Sequence, residues 1–230
     1  MEADKLAAQE KYLLLNLKGY RESFSDAVTA IAGFAREVSI ETGVNVVVCP
    51  PLPWLREASR AGSVVYAQHT DPIEPGATTG FHSLDMIKAA GGSGTLINHS
   101  EHRLGLWEIE YIVEKSRNKG MRSVVCADTP RTVAAVSALR PDMVAIEPPE
   151  LIGRGVSVSK AKPEVITESV ESIRSINRTV LIIAGAGITT ADDVRKAGEL
   201  GAQGALVASA VVKSDRQRKL IGEMAGALTD

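Results

Sequence analysis

Aromatic side chains are scarce in this 230-residue chain, at 4% of the total. Whatever interior it builds must therefore be filled by aliphatic groups. Cysteine is nearly missing too. Cys49 and Cys126 are the only two, each in or beside an apolar run and without metal-ligand spacing. That excludes a disulfide scaffold and points to two buried free thiols in a reducing compartment. Net charge is almost absent, at -2, so no broad basic face is available for nucleic acid. No apolar run approaches the length of a membrane span. The opening residues, MEADKLAAQEK, lack the basic-then-apolar order of a secretory signal. The expected location is cytoplasmic, with neither nucleic acid nor membrane as a partner. The chain has no GxxxxGK[ST] loop, and no GxGxxG follows its first apolar run. A nucleotide-binding loop and a dinucleotide fold are thereby disfavoured. No His/Cys/Asp/Glu group has convincing ligand spacing, so no metal is expected.

What the chain does have is alternation. Hydrophobic residues make up 44% and charged residues 23%, an ordinary globular composition. After a polar lead-in, Met1–Glu10, short apolar runs read as buried strands at Lys11–Leu17, Asn45–Cys49, Val64–Gln68, Gly94–Ile97, Arg122–Cys126, Met143–Ile146, Val180–Ala184 and Gly204–Val207. Helical spacing occupies the intervals. It runs over Ser25–Thr42, Leu52–Ala61, Ser83–Ala90, Trp107–Lys119, Pro130–Leu139, Pro163–Ile176, a segment from Thr190 to Gly201, and Arg216–Leu228. Pro130 suits a first helical turn, and Thr190 with Asp193 forms a capping pattern. Eight strands alternating with eight helices predict an α/β fold with a parallel sheet. In a chain of this length the reading is one (β/α)8 barrel domain spanning 1–230.

Catalytic groups of such barrels stand at the C-terminal ends of the strands. Those ends carry Asn16-Leu17-Lys18, Gln68-His69, Asn98-His99-Ser100-Glu101, Glu147, Gly185-Ala186-Gly187 and Ala208-Ser209. Glu147 is followed by Pro148 and Pro149, then by Gly153, Arg154 and Gly155. A stiff exit and a glycine tip describe a flap attached to an acid. Desolvated by that flap, Glu147 can act as a general base. Lys18 supplies positive charge for an anion or an enolate oxygen, and Asn16 a neutral donor. His99 can donate to a carbonyl or move a proton. Gly187, Ala208 and Ser209 lie on small-residue turns suited to phosphate. Each piece alone has a bland reading. A lone Lys is more often a solvated charge, and a lone His a satisfied structural group. His69, His82 and His102 are read as structural, and Glu101 as a carboxylate partner for Lys18. The last quarter of the chain would also serve other phosphate-binding barrels, including one that senses a ligand without chemistry.

Three segments make a resemblance specific. Asn16-Leu17-Lys18, Asn98-His99-Ser100-Glu101 and Glu147-Pro148 within IEPPELIGRG resemble, in order and separation, the catalytic segments of the triosephosphate isomerase family. The similarity runs from Leu14 to about Ala210. The EPPELIG flap, the GAGIT turn and the short length resemble the archaeal-type branch. The resemblance implies a TIM barrel that interconverts dihydroxyacetone phosphate and glyceraldehyde 3-phosphate in glycolysis and gluconeogenesis, without a cofactor. It implies Glu147 as base, His99 as neutral electrophile and proton shuttle, and Lys18 and Asn16 as substrate and enediolate ligands. Ile152, Gly153, Gly187, Ala208 and Ser209 would gather the phosphate. The loop His69–Gly80 resembles one that packs into a neighbouring subunit, which implies a homodimer or homotetramer. Two departures stand out: His102 where the commoner pattern has Arg, and Arg154 at the flap tip.

Overall fold

Eight parallel strands close into a barrel in sequence order, the first hydrogen-bonded to both the second and the eighth. The computed structural model describes residues 10–152, 155 and 157–229. The expectations for Met1–Ala8, Gln9, Gly153 and Arg154 lie outside the described residues. The strands are β1 Tyr12–Asn16, β2 Asn45–Cys49, β3 Val64–Ala67, β4 Gly94–Ile97, β5 Arg122–Ala127, β6 Met143–Ile146, β7 Leu181–Ala184 and β8 Gly204–Val207. Each matches an expected strand to within one or two residues. Apart from strand-leading residues such as Asn45, Val64 and Arg122, their side chains are buried on both faces. This is why the strands read as continuous apolar runs rather than alternating ones.

The inward faces pack Tyr12, Leu14, Val47, Tyr66, Leu96, Val124, Met143 and Leu181 with both cysteines. Cys49 and Cys126 are buried free thiols. Two tyrosines in a small barrel need small neighbours. A Cβ on Gly94 would stand 2.7 Å from the Tyr66 ring, and one on Gly204 would stand 2.2 Å from the Tyr12 carbonyl oxygen. At the N-terminal end of the barrel, Glu10 accepts from the Tyr12 hydroxyl at 2.8 Å and lies 3.6 Å from Arg122.

Helices cover the outside. The first, α1 (Asp26–Thr42), buries Val28, Ile31, Ala32, Ala35 and Val38, one stripe at helical period. It stops at Gly43, whose φ of 72° is left-handed and whose N–H closes on the Ser39 carbonyl. Pro130 opens a helix over Pro130–Ser137, and Thr190 and Asp193 make a capping box for Ala191–Glu199. The helix Pro163–Ile176 falls on its expected bounds, and the other expected helices are present with ends shifted by one or two residues. Leu52–Ala61 splits into a 3-10 turn, Leu52–Trp54, and a helix, Leu55–Arg60. Two four-residue helices were not expected: Val158–Ala161 after the Glu147 segment, and Ser209–Val212 after β8. Neither is long enough to show a period. Among the described residues no helix is long and apolar enough to cross a membrane.

Candidate active site

The C-terminal ends of β1, β6, β7 and β8 open into one pocket lined by Asn16, Lys18, Glu147, Ile152, Gly187, Ala208 and Ser209. Gly153 lies outside the described residues. His99, at the end of β4, reaches the same centre through Glu147. Its Nε2 stands 3.4 Å from Glu147 Oε2, with both side chains buried. Glu101, expected beside Lys18, pairs with it at 2.7 Å.

Lys18 is held in an uncommon backbone conformation, with φ at 47°. For a lysine this left-handed region costs roughly 1–2 kcal/mol. Neighbouring side chains over-determine it. Asn16 Oδ1 accepts the Lys18 N–H at 3.0 Å, and Gln68 Nε2 donates to the Lys18 carbonyl at 3.1 Å and the Cys49 carbonyl at 2.9 Å. The Asn16 side-chain oxygen thus braces Lys18, and the same residue lines the pocket. Asn98, at the end of β4, is also left-handed, with φ at 62°. Its Nδ2 donates to the Cys126 carbonyl at 3.0 Å, and its Oδ1 accepts the Leu104 N–H at 3.0 Å. The turn that presents His99 is thereby tied to β5.

The hydrogen-bond pattern assigns the His99 tautomer. Nδ1 accepts the Glu101 N–H at 3.2 Å, so the proton of the neutral ring sits on Nε2. The Glu101 carboxylate is 3.6 Å from Nδ1, but both atoms are then acceptors, and Glu101 bonds to Lys18 instead. Two buried atoms here have no hydrogen-bond partner, His99 Nε2 and Glu147 Oε2. Leaving such groups unpaired costs free energy unless a ligand engages them.

Glu147 is 6% exposed. Burial pushes its carboxyl above the ordinary value of 4.5, while His99, Lys18 and a hydrogen bond from Cys126 pull it back down. Burial pushes the Cys126 thiol well up, so it remains a donor. Gly185 provides the room: a Cβ there would meet Glu147 Cγ at 3.0 Å. Beyond Glu147 the chain turns through a 3-10 segment, Pro149–Leu151, with Leu151 buried, and Lys162 pairs with Glu150. A poised carboxylate, an imidazole N–H and an ammonium at one mouth can remove a proton beside a carbonyl and stabilise the oxyanion that forms.

The histidines expected to be structural lie beside this site. His69 stacks on His102 with centroids 3.8 Å apart, and Asp71 accepts from the His82 N–H and contacts His69 at 3.2 Å. His102 therefore joins the β3 and β4 loops by ring stacking rather than by an ion pair. Its neighbour Arg103 supplies the cation, bonding to Asp128 at 2.8 Å. The pocket also takes in Gly155, from the expected flap tip, together with Tyr20 and Thr189, which were not among the expected site residues. Thr189 could have been found from its place directly after the GAGI turn; Tyr20 carries no motif signal.

Comparison with known proteins agrees with this geometry. The family described as Triosephosphate isomerase matches residues 11–224. The triosephosphate isomerase of Caldivirga maquilingensis is 45% identical over 214 residues, 93% of this chain and 95% of that protein. Those of Methanothermus fervidus and Archaeoglobus fulgidus are each 44% identical, covering 92% and 94% of this chain and 96% and 97% of theirs. The matched span contains all eight strands and every strand end that faces the pocket, and on that ground the chain belongs to the triosephosphate isomerase family.

Proposed function

We propose that this barrel interconverts dihydroxyacetone phosphate and D-glyceraldehyde 3-phosphate, a step of glycolysis and gluconeogenesis, through an enediolate. Family membership supports the reaction. The single observation that carries the mechanism is the facing pair of unpartnered buried atoms, Glu147 Oε2 and His99 Nε2, at 3.4 Å.

In this reading Glu147 takes a proton from C1 of the ketose, and the electron pair moves into the C1–C2 bond as the carbonyl oxygen gains charge. His99 Nε2–H polarises that oxygen and passes a proton between O2 and O1. Glu147 then returns its proton to C2. Lys18, with Asn16, balances the developing negative charge. Glu101 orients Lys18. Ile152, Gly187, Ala208 and Ser209 surround the phosphate, with Gly153 as a further ligand. The substrate carbonyl itself makes the C–H acidic, so no cofactor is required. An enediolate phosphate can lose phosphate to water, which accounts for base and cover sharing one segment.

We read the chain as one barrel domain working in the cytoplasm as a homodimer or homotetramer. Phe81, directly after the His69–Gly80 loop, is 49% exposed, and Leu106 and Trp107, at the start of the helix Leu106–Asn118, are 58% and 65% exposed. That loop is held to the helix Leu106–Asn118 by Tyr111 and Lys115, both bonding Glu74. Sedimentation of the purified chain tests the assembly, and a single monomeric species would dismiss it. A coupled assay of glyceraldehyde 3-phosphate conversion tests the activity. Turnover by the wild type that Glu147→Gln abolishes is expected; equal turnover by both would reject the mechanism.

A further inference from the structure

Asp193 makes more bonds than a helix cap requires. It is the third residue of the helix Ala191–Glu199 and is 2% exposed. A capping box needs its carboxylate to accept one bond, from the Thr190 N–H, found at 2.9 Å. The same oxygen, Oδ2, also accepts from the Thr189 N–H at 3.0 Å and the Thr189 hydroxyl at 3.1 Å. The other, Oδ1, accepts from the Ser157 hydroxyl at 3.0 Å and pairs with Lys160 at 2.7 Å. The Asp193 carbonyl accepts from the Ser159 hydroxyl at 3.0 Å. Two walls of the pocket therefore end on one residue. Thr189 belongs to the turn after β7 that lines the pocket, and Ser157–Lys160 is where the segment starting at Glu147 returns to the barrel. A backbone bond from Val158 N–H to the Ala186 carbonyl, at 3.1 Å, runs beside them.

We infer that Asp193 is a positioning residue for the phosphate end of the pocket, fixing the Gly187–Thr189 turn and the Ser157 end of the Glu147 segment against each other. The number of donors explains why a carboxylate is needed. Two oxygens offer about four lone-pair sites, which an amide cannot match. Burial pushes this carboxyl up, but the bonds from Lys160, Thr189, Ser157 and Thr190 outweigh it and hold the group well below the usual carboxylate range. It stays ionised wherever the enzyme works. The inference takes the identity of the ligand from the proposed function, but its test does not need turnover.

The variants are Asp193→Asn and Ser157→Ala in the full chain. Each is compared with wild type by calorimetric binding of inorganic phosphate and of 2-phosphoglycolate, and by kcat and KM. Asp193→Asn should weaken both ligands about tenfold and raise KM alike, the loss expected when a charged hydrogen-bond hub goes. Its kcat should change by less than about threefold, because the reacting carbon is not addressed. Ser157→Ala should move the same constants in the same direction by less, and it decides the matter if Asp193→Asn does not fold. Variants that melt earlier yet bind both ligands as wild type does would reduce Asp193 to a helix cap and overturn the inference. A wild type that binds phosphate without isomerising would sink the proposed function alone. A wild type that binds neither would sink both.

Discussion

Glu147 occupies space that Gly185 leaves free. A Cβ added at Gly185 would lie 3.0 Å from Glu147 Cγ and 3.2 Å from Oε1, closer than side chains normally approach. Two strand ends, β6 and β7, are thus matched to each other for the sake of one carboxylate. Gly185→Ala should displace that carboxylate by a few tenths of an ångström and lower kcat by roughly tenfold or more. Binding of 2-phosphoglycolate should barely change. Weak inhibitor binding with intact kcat would show that Gly185 serves the phosphate instead.

Glu147→Asp withdraws the carboxylate by one methylene without altering its charge. The expected loss in kcat is on the order of 10²-fold, with KM close to wild type. Steady-state kinetics on the purified variant are sufficient, and undiminished turnover would remove Glu147 from the reaction.

Lys18→Ala removes the ammonium and leaves Glu101 without its 2.7 Å partner. Both rate and affinity for a phosphate-bearing inhibitor should fall, the affinity by about tenfold or more. Gln68→Ala is the subtler variant. It removes the donor to the Lys18 and Cys49 carbonyls while leaving the ammonium in place. A kcat loss smaller than that of Lys18→Ala is expected, and wild-type kinetics would mean that the Lys18 backbone holds its conformation unaided.

Two buried carboxyls should respond to pH in opposite senses. The fold raises Glu147, so its neutral form is favoured. Its contribution to stability is full below the ordinary carboxyl value and is lost as pH rises through the raised one. Glu147→Gln should therefore melt higher than wild type near pH 7, the gap closing towards about pH 4. The fold depresses Asp193, whose contribution is present above the ordinary value and lost as pH falls through the depressed one. The acid limb of kcat/KM should follow Glu147, with its inflection above 4.5. Melting curves that run parallel across this range would contradict the Glu147 assignment.

The barrel was legible because each strand is a short apolar run between turn residues, and burial on both faces leaves no period to misread. Strand ends were legible for the same reason: the run stops where a polar group begins, as at Asn16, Asn98 and Glu147. Helix ends drifted, since capping by backbone alone, as at Gln217–Gly226, writes no residue signature. The four-residue helices at Val158–Ala161 and Ser209–Val212 were invisible, being too short for periodicity. Pocket walls supplied from a distance were invisible as well. Tyr20 faces the cavity with Lys213 4.7 Å above its ring, a contact across the β1–β8 closure that spacing cannot reveal. The reach of Asp193 was hidden because one of its bonds, the Thr190 cap, already accounted for its presence.

The left-handed backbone at Lys18 has a consequence for protein engineers. Copying Asn16, Lys18, His99 and Glu147 onto a foreign barrel would import the reactive groups without the bracing that keeps a lysine in a conformation it ordinarily avoids. The recipient would let that residue relax, and its amine would swing off target. A workable graft has to carry Gln68, a residue just past the end of a different strand with no part in the chemistry, as cargo of equal rank.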